Sequence, residues 1–121
     1  QFTRPIVVLI HRYSVSAADN FALAMRVLPH ATLVGDTTSG CQADVRGDKL
    51  PNGWTFSIPY TLFVDQDGFC WEGIGIPPDL RQVNTNDDIA QGRDKVVELA
   101  IDLVKSGALK ARGDKRSYPI K

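Results

Sequence analysis

The sequence has no excess charge of either sign, no long hydrophobic run and little sulfur. Fourteen basic residues balance fourteen acidic ones, so no global field draws the chain to nucleic acid or to an anionic membrane. The longest apolar run, PIVVLI at 5–10, falls far short of the roughly 20 residues that a membrane-spanning helix needs. No secretory leader is recognised among these residues either. Two cysteines, Cys41 and Cys70, match no zinc or redox spacing. They read equally as two thiols or one bridge, and leave the compartment open. Asp65 and Asp67 in DQDG begin like a calcium loop, but the distal glutamate is missing, so a turn is expected. The glycines lack the lysine and helix context of a phosphate loop. No metal and no cofactor is expected.

What is present suits a globular chain: 121 residues, 43% hydrophobic and 23% charged, one domain in size. The chain opens at Gln1 and its only methionine is Met25, which reads as part of a longer protein. RPIVVLIHR is a continuous branched run of the kind buried in parallel sheets. Residues 16–28 place Phe21, Ala24, Met25 and Leu28 at helical spacing, and Pro29 stops the run. ATLVGD (31–36) is a second apolar strand, so the first third reads as a β-α-β unit.

From 43 to 76 the period falls to two. Phe56, Ile58, Tyr60, Leu62 and Val64 alternate, with Pro59 marking an edge or a bulge. LPNGW and DQDG carry turn chemistry, and IPPD closes the section in a rigid corner in which Pro77 and Pro78 are structural. A last helix, about Asp94 to Lys105, gathers Val97, Ile101 and Val104 on one face, with Gly107 past its end. We therefore divide the chain into a body, 1–107, and a solvated tail, 108–121, with five basic residues against one acidic. Only about two parallel strands are legible, so an unpaired edge and self-association are expected of the isolated chain.

The joint between the first strand and the first helix carries two serines, Ser14 and Ser16. A helix start offers free amide hydrogens and the positive end of a dipole. Ser16-Ala-Ala-Asp19 fits a capping box, and capping is the plain expectation. The alternative is nucleophilic attack, with the Ala17 amide holding the oxyanion. His11 sits five residues earlier on the strand side and reads as a core or surface histidine. Cys41 has no basic neighbour to activate it.

Four segments then occur in order: VLIHRYSVSAADNFA, ATLVGDTTSG, LPNGWTFSIP and WEGIGIPPD. This series resembles the C-terminal processing (tail-specific) peptidases and the related tricorn-type core proteases, over roughly residues 4–105. The resemblance implies a crotonase-like (caseinolytic-protease-like) α/β fold: a β-α-β core, a β-hairpin section and a C-terminal helix, all part of a larger domain. It places Ser16 at the nucleophile, Ala17 at the oxyanion hole, and Asp19 at a helix-start or substrate contact, the first being favoured. The tail-specific branch carries a lysine where this chain has Cys41 or Gln42, so a serine–lysine dyad is not expected. The tricorn-type branch pairs serine with a histidine from earlier in the protein and a glutamate before a G-[IV]-x-P-D corner. Glu72 stands at that position. His11 and His30 match no such histidine, so the chain alone is expected to be inactive. The implied activity is a serine endopeptidase acting on peptides or unfolded protein, outside the cytoplasm, and partnered by the upstream part of its own chain. Two other readings on the same fold are a non-catalytic binding module, like the retinoid-binding repeats of the eye, and an acyl-CoA-processing crotonase domain. The second has no use for a serine at the helix start.

Overall fold

The protein is described by a computed structural model covering Phe2 and residues 4–109. Residues 110–121, most of the expected basic tail, lie outside the described residues. Strand β1 (Ile6–Ile10), helix α1 (Ala17–Arg26) and strand β2 (Ala31–Gly35) form the expected β-α-β unit. The two strands pair in parallel, from Ile6 opposite Ala31 to Ile10 opposite Gly35. Every residue of β2 is buried, as a strand flanked on both edges and covered on both faces must be.

The third strand is one that periodicity does not reveal. β5 (Leu80–Arg81) follows the IPPD corner and pairs in parallel with β2, giving the order β1-β2-β5. Asp79 docks it: the Leu33 amide donates to Asp79 Oδ2 at 2.7 Å, and the Asp79 amide donates to the Leu33 carbonyl at 2.8 Å. Strands β3 (Val45–Lys49) and β4 (Thr55–Pro59) form a separate antiparallel hairpin, closed by the Leu50–Trp54 turn. All ten of its residues are exposed. The alternating apolar residues 56–64 therefore do not mark a core face. The strand also ends at Pro59, with only an isolated bridge from Val64 to Cys70 beyond it.

The core is small: Val8, Ile10, Ala22, Leu23, Leu33, Trp71 and Ile76. Trp71 is held in it from several sides. Its indole N–H donates to Asp65 Oδ2 at 2.9 Å, Phe69 meets its ring edge-on at 4.6 Å, and the Arg26 guanidinium lies 5.3 Å from its centre. Asp65 Oδ1 also accepts from the amides of Asp67 and Phe69. DQDG is thus the expected turn, anchored by its first aspartate. On α1 the buried residues are Asp19, Ala22 and Leu23, while Phe21 and Ala24 face outward. Of the expected stripe, Met25 and Leu28 are half-buried, with Met25 packed on the core, while Phe21 and Ala24 give way to Asp19, Ala22 and Leu23 on the inner side.

Helix α3 (Lys95–Ser106) lies against the other face of the sheet. Val97, Ile101 and Val104 share one side as expected, and with Val7, Leu9 and Ala100 they line an open apolar groove of about 390 Å³. Asp94 caps the helix start, accepting from the Val96 and Val97 amides, and Gly107 ends it in the left-handed conformation at φ 65°. The short helix α2 (Asn86–Ala90) was not visible in the sequence. It is fixed by a capping box between Thr85 and Asp88, and Asp88 reaches across to the Lys95 ammonium at 2.8 Å. The Lys95 ammonium and the Thr85 hydroxyl and amide hold the Asp88 carboxyl well below the usual carboxylate range.

A carboxyl whose folded-state affinity for protons is depressed stabilises the fold above its unfolded value, near pH 4, and loses that contribution as the pH falls. The urea midpoint should therefore drop below about pH 4, and Lys95→Met should lower the plateau at neutral pH and flatten the acid limb. An acid limb of unchanged slope in the variant would show that Asp88 is not held by Lys95.

Candidate active site

Beyond Ile10 the chain makes a tight bend. The Ser14 amide donates to the His11 carbonyl at 2.7 Å, and the His11 amide donates to Ser14 Oγ at 3.1 Å. His11 Nδ1 accepts from the Tyr13 amide at 3.3 Å. Ser14 and His11 are thus committed to the bend, and His11 is a surface histidine. Two residues later Ser16 stands immediately before α1, exposed, with φ 58° and ψ −115°. It is the only non-glycine residue with positive φ among the described residues. Such a conformation costs on the order of 1–3 kcal/mol and persists only where its surroundings enforce it. A sharp strand-to-helix turn of this kind lifts a serine hydroxyl clear of the backbone.

The expected capping pair is absent. Ser16 makes no side-chain bond to the helix start. Asp19 does not answer it either, for the Asp19 carboxylate is wholly buried and accepts from the amides of Gly40 and Cys41 at 3.1 and 3.3 Å. Burial also leaves Asp19 no surface for a substrate. The Ala17 amide, at the first helical position, finds no acceptor among the described residues. An exposed hydroxyl therefore lies beside a free amide hydrogen at the positive end of a helix.

Ser16 is pinned from outside the helix. Its amide donates to the Cys41 carbonyl at 2.9 Å, and Cys41 belongs to a loop bonded to its surroundings at every amide. The Ser39 N–H donates to the Ser14 carbonyl, those of Gly40 and Cys41 to Asp19, and those of Gln42 and Ala43 to Glu72 Oε2, at 2.8 and 3.0 Å. The Gly40 carbonyl accepts from Gly73, and the Gln42 carbonyl from Asn20 Nδ2. Glu72 is exposed and sits in a turn rather than a strand. Thus Ser16 and Asp19, at the start of α1, and Glu72, in the turn after Trp71, converge on residues 39–43.

Residues 1–82 match the model of peptidase family S41. The chain belongs to that family. S41 members are serine peptidases. Solved structures similar to this S41 chain include the following three. One, from Parabacteroides merdae and described as a peptidase, is 36% identical with a TM-score of 0.77, aligning 98% of this chain with 36% of its own. Mature CPAF complexed with lactacystin is 30% identical with a TM-score of 0.72, over 88% of this chain and 22% of its own. The tricorn protease is 27% identical with a TM-score of 0.74, over 84% and 10%. A curated protein of Chlamydia trachomatis is 31% identical over 114 residues, 88% of this chain and 19% of that protein. The chain thus spans well under half the length of these relatives.

Within this S41 chain, Cys41 and Cys70 are free thiols and not a bridge. The Cys41 thiol accepts from Ser39 Oγ at 3.4 Å. His30 contributes its carbonyl to the Ile6 amide. No group of three or more potential metal ligands occurs among the described residues, and no helix among them is long and apolar enough to cross a membrane. From the sequence the loop 39–43 was marked only as the place of a missing lysine, at Cys41 or Gln42, and its bonds to Ser16, Asp19 and Glu72 were not foreseen. Its trace there is Gly40, which sits at φ 74° against the second glycine of EGIG: a Cβ on Gly40 would lie 2.5 Å from the Gly75 nitrogen, backbone that has no room to move.

Gly40→Ala should therefore cost at least about 2 kcal/mol in urea denaturation, since it combines a positive φ with a backbone clash. A change within about 0.5 kcal/mol, the range of an ordinary surface substitution, would show that the loop is not held against Gly75.

Proposed function

We propose that this chain carries the nucleophile of a serine endopeptidase that hydrolyses peptides or unfolded proteins, with Ser16 as the attacking residue. The observation behind this is the Ser16 backbone, held at φ 58° where a strand meets a helix, with the hydroxyl exposed and uninvolved in capping. Ser16 Oγ adds to the substrate carbonyl while a general base takes its proton. The oxyanion that forms is held by the Ala17 amide. The base returns the proton to the leaving amine as the C–N bond breaks, and water hydrolyses the acyl-enzyme by the same steps.

The base is a histidine from outside these 121 residues. His11 is spent in its own bend, and Cys41 and Gln42 occupy the place where a lysine dyad would need its amine. Glu72 is the third member, orienting that histidine. One of its oxygens, Oε2, serves two loop amides, and Oε1 is the atom we assign to the imidazole. The chain alone is accordingly inactive. We further read the mixed α/β body as part of a crotonase-like domain and place the whole protein outside the cytoplasm, both on family resemblance.

The test uses the full-length protein that carries this chain. Casein cleavage and labelling by a fluorophosphonate should both vanish in Ser16→Ala. Glu72→Gln should keep the labelled serine but lower kcat by a factor on the order of 10⁴, as loss of the orienting carboxylate does in serine triads. Cleavage that survives Ser16→Ala would overturn the assignment. A folded wild type that neither cleaves nor labels would make the chain a binding module and Ser16 a feature of its backbone only.

A further inference from the structure

We propose that Asp19 is a positioning residue for Ser16 and acts through the loop 39–43. The inference rests on Ser16 being the nucleophile and adds a residue that touches neither substrate nor reacting atoms. Asp19 lies one helical turn after Ser16 on the inner side of α1, and its side chain is wholly buried. A carboxylate there requires donors, and it has two: Gly40 N–H on Oδ1 and Cys41 N–H on Oδ2. The second of these residues returns its carbonyl to the Ser16 amide at 2.9 Å. The path from Asp19 to Ser16 is therefore one side chain and the backbone of one residue, Cys41, long.

This path accounts for two facts together. Ser16 holds a backbone conformation that would relax without an external constraint, and the Cys41 carbonyl is the constraint on its amide. The peptide group that carries this carbonyl has its N–H, that of Gln42, on Glu72 Oε2. The preceding group has its N–H, that of Cys41, on Asp19. Cys41 is thus held from both sides, and Asp19 supplies one of the two holds. Asn20 fastens the next residue, with Nδ2 donating to the Gln42 carbonyl at 3.3 Å, so successive residues of α1 grip successive residues of the loop. Releasing Asp19 lets the loop retreat from the bend, and the Ser16 hydroxyl moves relative to the Ala17 amide. A misplacement of about 1 Å at a reacting group lowers rates by roughly 10²-fold.

The experiment compares wild type, Asp19→Asn and Asn20→Ala in the full-length protein, with rates normalised to the folded fraction. Asp19→Asn puts an amide donor against one of the two loop N–H groups. It should lower kcat and the rate of fluorophosphonate labelling about 10²-fold while KM stays within about threefold, the signature of a lost transition-state interaction. Amide exchange at Gly40 and Cys41 should accelerate in parallel. If Asp19→Asn does not fold, Asn20→Ala, which removes a single outer strap, should shift kcat in the same direction by about threefold to tenfold with KM again unchanged. Labelling at the wild-type rate per folded molecule in whichever variant folds overturns the role of Asp19 and leaves Ser16 standing. A wild type that is not labelled at all removes the nucleophile, and the positioning role falls with it.

Discussion

Backbone amides that leave secondary structure must still find acceptors, and between Ser39 and Ala43 five in succession do so without forming a helix or a strand. Four of the five bonds end on carboxylate oxygens of Asp19 and Glu72, and hydrogen bonds to charged groups are about twice as strong as neutral ones. Those two residues belong to the first helix and to the turn after Trp71. The loop therefore ties together three stretches that no continuous sheet or helix connects. Its carbonyls complete the tie, taking the amides of Ser16 and Gly73. The two glycines at the closest approach, Gly40 and Gly75, are there because a side chain on either would strike backbone within 2.5 Å.

The parallel sheet supplies the rigid ground for this arrangement. β1 delivers the chain to the Ser14–Ser16 bend, β2 delivers it to the loop, and both leave from the carboxyl end of the parallel sheet, where ligands commonly bind in open α/β folds. Gly35 ends β2 in a conformation closed to other residues, with the Ile10 carbonyl where a Cβ would stand. Thr38 then bonds both ways with Ile76, its amide to that carbonyl and its hydroxyl from that amide. The loop is thus presented from a buried, doubly fastened strand end.

How far the sequence reveals this depends on the range of each interaction. β1, α1, β2 and α3 were legible because their apolar runs are long enough to show a period, and their ends carry Pro29, Asp94 and Gly107. β5 is two residues long and has no period to show; only Asp79, bonded to Leu33, marks it. The burial side of α1 was misjudged because Phe21 and Ala24 form as good a stripe as Ala22 and Leu23, and the choice between them is made by a carboxylate whose partners lie 21 and 22 residues away. For the same reason Ser16-x-x-Asp19 reads locally as a capping box, although neither residue serves as one. Ser16 and Ala17 were candidates at the strand–helix joint as the alternative to capping, and the order of four motifs then added Glu72 to Ser16. Their meeting at one loop is a tertiary fact with Gly40 as its sole local trace.

The hairpin β3–β4 obeys a different rule from the rest of the chain. Trp54, Phe56, Ile58, Tyr60 and Leu62 would ordinarily be read as folding residues, yet all are exposed, whereas Leu33 and Ile76 are completely enclosed. Within the described residues these five side chains therefore take no part in the core, and the contacts that enclose Leu33 and Ile76 are made without them.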